Sequence, residues 1–188
     1  MSASLVGSEM CIRDRNHTRN KELLKYAQTD ALTGLYNKET TEQLTDELLS
    51  EDENKYHAFL ILDVDCFKQI NDIYGHAVGD IVLQKFGKLL KGTFREGDIL
   101  GRIGGDEFGV IMKNIQTKDI AMKKAEELLA KTQAYKIDEL KGNNISISIG
   151  ISTAPQDGDC YMDLYKRADQ ALYQAKRSGK ARVCNYFS

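Results

Sequence analysis

The chain has 188 residues, the length of one domain or of one domain with a short appendage. Apolar residues make up 41% of the chain and charged residues 29%, a balance that is typical of globular proteins and argues against a disordered chain. The formal net charge is only −2, and no apolar run approaches the ~20 residues of a membrane span. We therefore expect neither a nucleic-acid partner nor a membrane contact from this chain.

Four cysteines, at positions 11, 66, 160 and 184, show no CxxC spacing. This pattern predicts neither a disulfide framework nor a zinc site, and it favours a reducing, cytoplasmic compartment. The expectation of a cytoplasmic domain is compatible with a parent protein that is anchored in a membrane upstream of this chain.

The chain divides into three predicted segments. Residues 1–15 show no helical period and lack the long apolar core of a signal peptide, so we interpret them as a non-native or disordered leader. Residues 16–28 predict a linker helix, which we hypothesise to be the stub of a longer coiled coil. We expect one domain over residues 29–188.

Beyond the linker, segments with a helical period alternate with short apolar segments. The predicted helices cover residues 38–49, 66–73, 78–94, 118–134 and 162–177. The predicted strands cover residues 57–62, 99–103, 108–112, 145–151 and 182–186. The alternation of Ile and Ser in the fourth strand indicates that it is half-buried. Because a Gly-Gly turn joins the second and third strands as an antiparallel hairpin, we predict an α/β fold with a mixed, α+β-type sheet.

Two acidic residues follow the most apolar predicted strand. That strand ends in Asp63, and Asp65 comes two residues later. The end of a strand is where α/β sheets place their ligands. Taken alone, however, the pair is more typical of helix capping, with Asp65 as the N-cap of the next helix.

A second acidic corner lies at the predicted hairpin turn. Gly104 and Gly105 allow a tight turn and a close approach to a ligand, and Asp106 and Glu107 follow at the rim. Alone, such a tip is typical of a solvated turn. Carboxylates that converge from two corners repel one another unless a hard cation lies between them, and Mg²⁺ prefers carboxylate and phosphate oxygens. Together, the two corners indicate a magnesium–nucleotide site.

Five segments resemble those of the GGDEF family of diguanylate cyclases, in the family's order. They are TDALTGLYN at 29–37, residues 63–80, GGDEF at 104–108, SIGIS at 148–152 and ADQALYQAK at 168–176. The resemblance implies a nucleotidyl-cyclase or palm-like sheet of five strands, surrounded by helices, with GGDEF on its hairpin. It also implies the condensation of two GTP molecules into cyclic di-GMP with release of two pyrophosphates.

The resemblance implies a metal-binding and catalytic set. The ligands of Mg²⁺ or Mn²⁺, with two ions in each active site, would be Asp63, the backbone carbonyl of Val64, Asp106 and Glu107. Either Asp106 or Glu107 would assist deprotonation of the attacking ribose 3′-hydroxyl, a choice that stays open. Lys68 matches a phosphate-binding lysine of the catalytic set. Such chemistry needs positioned charges and metals ~3.5–4 Å apart rather than a covalent nucleophile.

The resemblance also implies a substrate pocket. Asn71 and Asp80 would contact guanine, since a carboxylate accepts from the N1–H and the exocyclic amine and an amide reaches another ring edge. The other implied substrate-binding residues are Phe67, His76, Gly104, Gly105, Lys176 and Lys180. The family often has arginine where Lys180 stands; lysine keeps the charge but loses the bidentate contact with phosphate.

Regulation and assembly complete the implied properties. Arg95 and Asp98 stand at the offset where the family carries its RxxD product-inhibition site for cyclic di-GMP, although alone the pair is typical of a surface ion pair. Because the product is a two-fold symmetric ring, we expect two domains face to face in a homodimer that is weak for this chain. The alternatives are a catalytically silent GTP- or cyclic di-GMP-binding regulatory domain and another palm-like nucleotidyl transferase, such as an adenylate-type cyclase. The intact acidic set argues against the first alternative, and the Asn71/Asp80 pair argues against the second.

Overall fold

The computed structural model describes residues 27–51 and 55–186. The leader at 1–15 and most of the predicted linker helix at 16–28 lie outside the described residues, so these assignments stay predictions. Within the described ranges, no helix is both long and apolar enough to cross a membrane.

The described chain contains the five predicted helices and the five predicted strands in the predicted order. Helices α1 to α5 span Lys38–Glu51, Phe67–Tyr74, His76–Thr93, Lys118–Ala134 and Tyr161–Arg177, and a 3₁₀ turn spans Asp138–Leu140. Strands β1 to β5 span His57–Val64, Ile99–Arg102, Glu107–Met112, Ile147–Ala154 and Val183–Asn185. Strand β1 includes Asp63, as expected, and extends one residue further to Val64.

The strands form one mixed sheet in the order β2-β3-β1-β4-β5. Strand β1 pairs antiparallel with both β3 and β4, β2 and β3 form the predicted hairpin, and β5 runs parallel to β4. The predicted mixed α/β sheet is thereby confirmed. The carboxyl end of β1 lies between the amino ends of β3 and β4. We call this the acidic end of the sheet, where Asp63, Glu107 and Ser148 stand side by side.

The alternation of side chains along β1 assigns Asp63 to one face of the sheet. Phe59 and Ile61 pack with residues of α1 and α5, whereas the alternating residues Ala58, Leu60 and Leu62 pack with α3 and α4. Because successive side chains point to opposite faces, Asp63 lies on the face that α5 covers. In β3, Glu107 shares that face with Ile111.

The prediction of a half-buried strand at 145–151 is wrong. Every residue of β4 is buried, because α5 packs directly on the face that carries the serines. Gly150 permits this approach, since a Cβ there would lie 2.1 Å from the carbonyl oxygen of Ala168. The hydroxyl of Ser152 donates to the carbonyl oxygen of Leu164 at 2.8 Å, so the helix replaces water as its partner. The Ile/Ser alternation therefore marks one apolar face and one face of small side chains under a helix.

Candidate active site

The strand register brings the two acidic corners of the sequence together. Asp63, near the end of β1, pairs directly with Glu107 at the start of β3. The N–H of Val64 donates to the carbonyl oxygen of Asp106 at 3.2 Å. Directly opposed residues of antiparallel strands have Cβ atoms about 4.5–5.5 Å apart. The side chains of Asp63 and Glu107 are therefore neighbours on the face under α5.

The Gly-Gly turn holds Glu107 by close backbone contacts. The N–H groups of Ile103 and Gly104 donate to the carbonyl oxygen of Glu107 at 3.0 and 3.2 Å. A Cβ on Gly104 would lie 2.8 Å from Oε2 of Glu107, so a larger residue would displace the carboxylate. A Cβ on Gly105 would meet nothing within 4 Å. The absence of a side chain at Gly104 thus leaves room for the Glu107 carboxylate, and Gly105 lies at the open tip of the turn.

A guanidinium that sequence reasoning missed anchors this turn. Arg102 donates to the carbonyl oxygen of Gly105 from Nε at 3.1 Å and from Nη2 at 2.7 Å, and its Nη1 pairs with Asp30 at 3.2 Å. Asp30 also accepts from the N–H and the hydroxyl of Thr33 at 2.8 and 2.7 Å. Although burial opposes the shift, these hydrogen bonds and Arg102 lower the pKa of Asp30. The sequence feature that could have pointed to this support is Asp30, the one acidic residue of the segment 29–37.

Burial makes the charged forms of the two facing carboxylates unfavourable. The Asp63 side chain is only 10% exposed, and burial raises its pKa although Nζ of Lys176 lies 2.7 Å from its Oδ2. Burial also raises the pKa of Glu107, and the charge of Asp63 adds to that rise. Lys176, in the last turn of α5, supplies a positive charge that partly offsets the crowding.

The donors at the acidic end fit a hard divalent cation. They are the side chains of Asp63, Asp106 and Glu107 and the backbone carbonyl of Val64. All are oxygen ligands, which Mg²⁺ prefers, and a positive ion would relieve the repulsion among the acids. In the part of the chain that the structure describes, the one group of three potential ligands within 4.8 Å of one another is Asp159, Cys160 and Asp163 at the start of α5. At least one pair among the three carboxylates of the acidic end therefore lies more than 4.8 Å apart.

The predicted guanine-binding residues lie around the junction of α2 and α3. Asn71 packs so closely on Gly79 that a Cβ there would lie 1.9 Å from Oδ1 of Asn71 and 3.2 Å from Cζ of Phe67. Gly75 joins the two helices with a φ of 85°, a conformation that favours glycine. Asp80 follows Gly79 and is exposed. The Asn71 amide thus packs directly on the backbone of α3 at Gly79. Gly79 is a second residue that sequence reasoning missed.

Two further predicted residues are exposed on the same pair of helices. Lys68 lies in the first turn of α2, and His76 is the first residue of α3. Their accessibility is compatible with contact to a phosphate and to a base, respectively. These roles stay predictions.

The loop after α5 carries the remaining predicted lysine, Lys180. Its Nζ lies 3.1 Å from Sγ of Cys66, and its φ of 60° is left-handed. The expectation that Asp65 caps α2 is wrong, because the N-cap is Cys66 and makes no side-chain capping bond. The Asp65 carboxylate instead accepts from donors that lie 81 to 116 residues further along the chain. The position of Asp65 just before α2 suggested a local cap, but in the folded chain its carboxylate binds residues that are distant in the sequence.

The predicted inhibitory pair lies towards the opposite end of the sheet, beside a cavity of about 540 Å³. Nε of Arg95 donates to Oδ1 of Asp98 at 3.0 Å, and its Nη2 donates to the carbonyl oxygen of Lys113. Asp98 is buried and also accepts from the N–H of Lys113 at 3.1 Å. Asp98 therefore ties the turn before β2 to the end of β3, and Arg95 is the accessible member of the pair.

The hairpin tip meets the end of the central strand of a five-stranded mixed sheet, which defines an α/β domain with an acidic site at one end of its sheet. The family model described as "Diguanylate cyclase, GGDEF domain" matches residues 27–182, and the chain belongs to this family. The resemblance noted in the sequence is thereby confirmed.

Two relatives, one of them named as a diguanylate cyclase, are similar to most of this chain. The chain is 37% identical over 170 residues to diguanylate cyclase A of Treponema denticola, which covers 87% of this chain and 46% of the relative. It is 38% identical over 165 residues to the response regulator PleD of Caulobacter vibrioides, which covers 85% of this chain and 36% of the relative. The chain thus spans less than half of the length of these relatives.

Solved structures confirm the predicted fold class. The GGDEF domain of TpbB from Pseudomonas aeruginosa matches with a TM-score of 0.80 at 33% identity, over 85% of this chain and 94% of that chain. The coiled coil and GGDEF domain of DgcB from Caulobacter crescentus, in complex with c-di-GMP, matches with a TM-score of 0.86 over 97% of both chains. At 24% identity, the second match bears on the fold alone.

Proposed function

We propose that this domain condenses two GTP molecules into cyclic di-GMP. Each ribose 3′-oxygen attacks the α-phosphorus of the other GTP; a new P–O bond forms there and the bond to the β-phosphate breaks. Two pyrophosphates leave, and the two hydroxyl protons are taken up by bases. The observation that supports this proposal most strongly is the pairing of Asp63 with Glu107 beside Asp106, in a chain of the GGDEF family.

The acidic end of the sheet is the proposed reacting centre. One of the two carboxylates at the hairpin tip, Asp106 or Glu107, accepts the proton of the 3′-hydroxyl. Together with Asp63 and the carbonyl of Val64, they would hold Mg²⁺ or Mn²⁺, two ions to a site. Such ions, when bound, neutralise charge on the α-phosphate and favour the deprotonated nucleophile. The burial and mutual repulsion of Asp63 and Glu107 support this assignment.

Three lysines provide positive charge for the triphosphate. Lys176 stands 2.7 Å from Asp63, so its ammonium already lies at the proposed reacting centre. Lys180 approaches the turn after β1 through its contact with Cys66. Lys68 is exposed in the first turn of α2, which directly follows that turn. Positioned charges of this kind supply much of the catalysis in phosphoryl-type transfer.

Guanine recognition is assigned to the junction of α2 and α3. Asn71 and Asp80 contact the base edge, and Phe67 and His76 line the pocket. The packing of Asn71 on Gly79 supports this assignment, because it holds the Asn71 amide close to Gly79, and Asp80 is the next residue in the chain. Adenine presents the opposite donor and acceptor pattern, so it would leave these groups unpaired.

The test is to incubate the full chain with GTP and Mg²⁺ and to identify products by chromatography. We expect cyclic di-GMP and pyrophosphate from the unaltered protein and from Asp159→Ala, a control that removes an exposed acid at the start of α5. Asp106→Ala should form no dinucleotide. If GTP binds but no dinucleotide forms even under forced dimerisation, the domain is a silent binding module and the proposal is wrong.

The proposed reaction requires two copies of the domain, because each copy provides one GTP to a two-fold symmetric product. We propose a weak homodimer that forms around substrate, in the cytoplasm where GTP is available. The rate for each chain should therefore fall on dilution towards nanomolar protein. A rate that is independent of dilution would contradict this assembly.

We further propose that cyclic di-GMP inhibits the enzyme at the RxxD pair. The exposed Arg95, beside the cavity of about 540 Å³, offers a guanidinium that can pair with guanine or phosphate. With the active site blocked by a GTP analogue, Arg95→Ala should lose cyclic di-GMP binding. Arg167→Ala, which alters an arginine stacked over Tyr186, should keep it. Retained binding in Arg95→Ala would refute the assignment.

A further inference from the structure

Asp65 connects three chain segments that meet at the acidic end of the sheet. Its carboxylate is buried, and Oδ1 accepts from the hydroxyl of Ser148 at 2.7 Å. Oδ2 accepts from the hydroxyl of Ser146 at 2.7 Å and from the N–H of Ala181 at 3.1 Å. Its own N–H donates to the carbonyl oxygen of Ser146 at 2.9 Å. One side chain thus joins the end of β1 to the start of β4 and to the loop after α5.

We propose that Asp65 is a positioning residue, which holds the loop 178–182 and thereby places Lys180 beside the end of β1. The part of this inference that concerns GTP rests on the proposed function, because Lys180 is assigned there to the triphosphate. The positioning itself concerns only contacts within the protein.

The conformation of the loop explains why it needs an anchor. Lys180 and Ala181 have φ values of 60° and 48°, which are left-handed and unfavourable for residues other than glycine. Two such residues in succession make this loop conformation unfavourable unless other contacts hold it. The hydrogen bond from Ala181 to a buried carboxylate is charge-assisted and offsets part of this cost.

The same anchor sets the position of the lysine side chain. Asp65 precedes Cys66 directly, and Nζ of Lys180 lies 3.1 Å from Sγ of Cys66. The loop is also tied to the end of α5, since the N–H of Lys180 donates to the carbonyl oxygen of Ala175 at 3.1 Å. The far end of the loop is tied to β4, because the N–H of Ile149 donates to the carbonyl oxygen of Arg182 at 2.9 Å. Release of Ala181 from Asp65 would therefore leave the loop attached to α5 and to β4, while the side chain of Lys180 could move away from the turn after β1.

The chain offers a matched control in Asp157. This carboxylate is also buried and also binds β4, where it accepts from the N–H and the hydroxyl of Thr153 at 2.7 and 2.9 Å. It lies at the opposite end of the strand from Ser148. Asp157→Ala should therefore lower stability as Asp65→Ala does, without an effect on the loop 178–182.

The first experiment follows hydrogen exchange of the Ala181 amide in the full chain without nucleotide. In Asp65→Ala we expect exchange at least ~10-fold faster, because the amide loses its acceptor. In Asp65→Asn most of the protection should remain, since one amide oxygen can still accept from Ala181 while the amide nitrogen faces Ser148. Asp157→Ala should leave the rate within about twofold.

Exchange that is unchanged in Asp65→Ala would overturn the positioning role. If Asp65→Ala does not fold, hydrogen exchange in the unaltered protein tests the positioning role of Asp65 instead. Exchange of its Ala181 amide at the rate of an unstructured amide would equally overturn the proposal, whereas clear protection would support it.

The second experiment measures binding of a GTP analogue with a methylene group between the α- and β-phosphates, in the presence of Mg²⁺. Asp65→Ala should weaken binding about 10-fold when Lys180 is present and less than about twofold in a Lys180→Ala background. An equal loss in both backgrounds would show that Asp65 does not act through Lys180. If the unaltered chain binds no analogue, the proposed function fails, while the exchange experiment still decides whether Asp65 holds the loop.

Discussion

The two ends of the sheet each contain a buried aspartate, and the two carboxylates have opposite surroundings. At the opposite end, Asp157 faces two donors of Thr153, which satisfy its charge. At the acidic end, Asp63 faces Glu107 and Asp106, with Lys176 as its ion-pair partner. Both residues are nearly inaccessible, at 3% and 7% exposure. Burial alone therefore does not distinguish an acid whose charge is satisfied within the fold from one that we propose for chemistry. The hydrogen-bond donors and charges around each carboxylate make that distinction.

Asp63→Asn should produce the largest effect and tests the chemical side of this comparison. Loss of a cation ligand should lower the rate of cyclic di-GMP formation at least ~100-fold. The midpoint of thermal unfolding should not fall, because a crowded charge is removed. Rate and midpoint are measured on one preparation. A rate within twofold of the unaltered protein would mean that Asp63 is not part of the reacting centre.

Asp157→Ala should show the reverse pattern. It leaves the N–H and the hydroxyl of Thr153 without their acceptor, so the free energy of unfolding should fall by about 1–3 kcal/mol. The rate for each folded molecule should stay unchanged. Denaturant titration and an activity assay below the transition check both points, and a loss of rate without a loss of stability would contradict the comparison.

Gly79→Ala tests whether the close packing of α3 on Asn71, at the junction of α2 and α3, sets base selectivity. The new Cβ would meet Oδ1 of Asn71 and displace the amide, so the preference for GTP over ATP should fall about 10-fold. Gly92→Ala is the matched control in the same helix, since a Cβ there meets nothing within 4 Å. Equal selectivity in the two variants would remove Asn71 from guanine recognition.

Arg102→Lys tests the support of the Gly-Gly turn. Lysine cannot donate from two nitrogens to the carbonyl oxygen of Gly105 while it pairs with Asp30, so the rate should fall a few-fold, roughly 3–10. The double-mutant cycle with Asp30→Asn should show coupling. Independent, additive effects would indicate that the two residues do not act as one support.

Glu127 lies on α4 and belongs to neither end of the sheet, so its substitution should have the smallest effect of those considered. Lys131 and then Lys124 lower its pKa to about 2. Because the folded pKa lies below the unfolded value, the pairs stabilise the fold above about pH 4.5, and this contribution is lost as the pH falls towards 2. The pairs are exposed, so Glu127→Gln should shift the unfolding midpoint at pH 7 by no more than about 1 °C. A shift of several degrees would contradict this ranking.

Local patterns in the sequence were sufficient for most of the elements. The helix predicted at 118–134 has those bounds in the structure, because its apolar period matches one buried face. The strand at 145–151 was placed correctly and its burial was not, because the packing of α5 on Gly150 leaves no trace in the alternation. The site residues were recognised from their resemblance to a family, and their chemical roles stay proposals.

The residues that support the site were beyond the reach of sequence reasoning. Arg102 and Asp30 are 72 positions apart, and Asp65 and Ala181 are 116 apart. In the sequence, Arg102 and Asp30 are typical of unrelated surface charges, and Asp65 is typical of a local helix cap. Only the folded sheet brings the members of each pair together. Gly79 has the same character, because its importance lies in the space that it leaves for Asn71.

The order of residues along this chain determined the elements, the hairpin and the acids available for chemistry, since periodicity and turn residues act over a few positions. Tertiary structure alone decided which acid is satisfied by donors and which is crowded by other acids. The reason is physical: hydrogen bonds, burial and repulsion depend on distance in space, and strand pairing sets that distance between residues far apart in the chain.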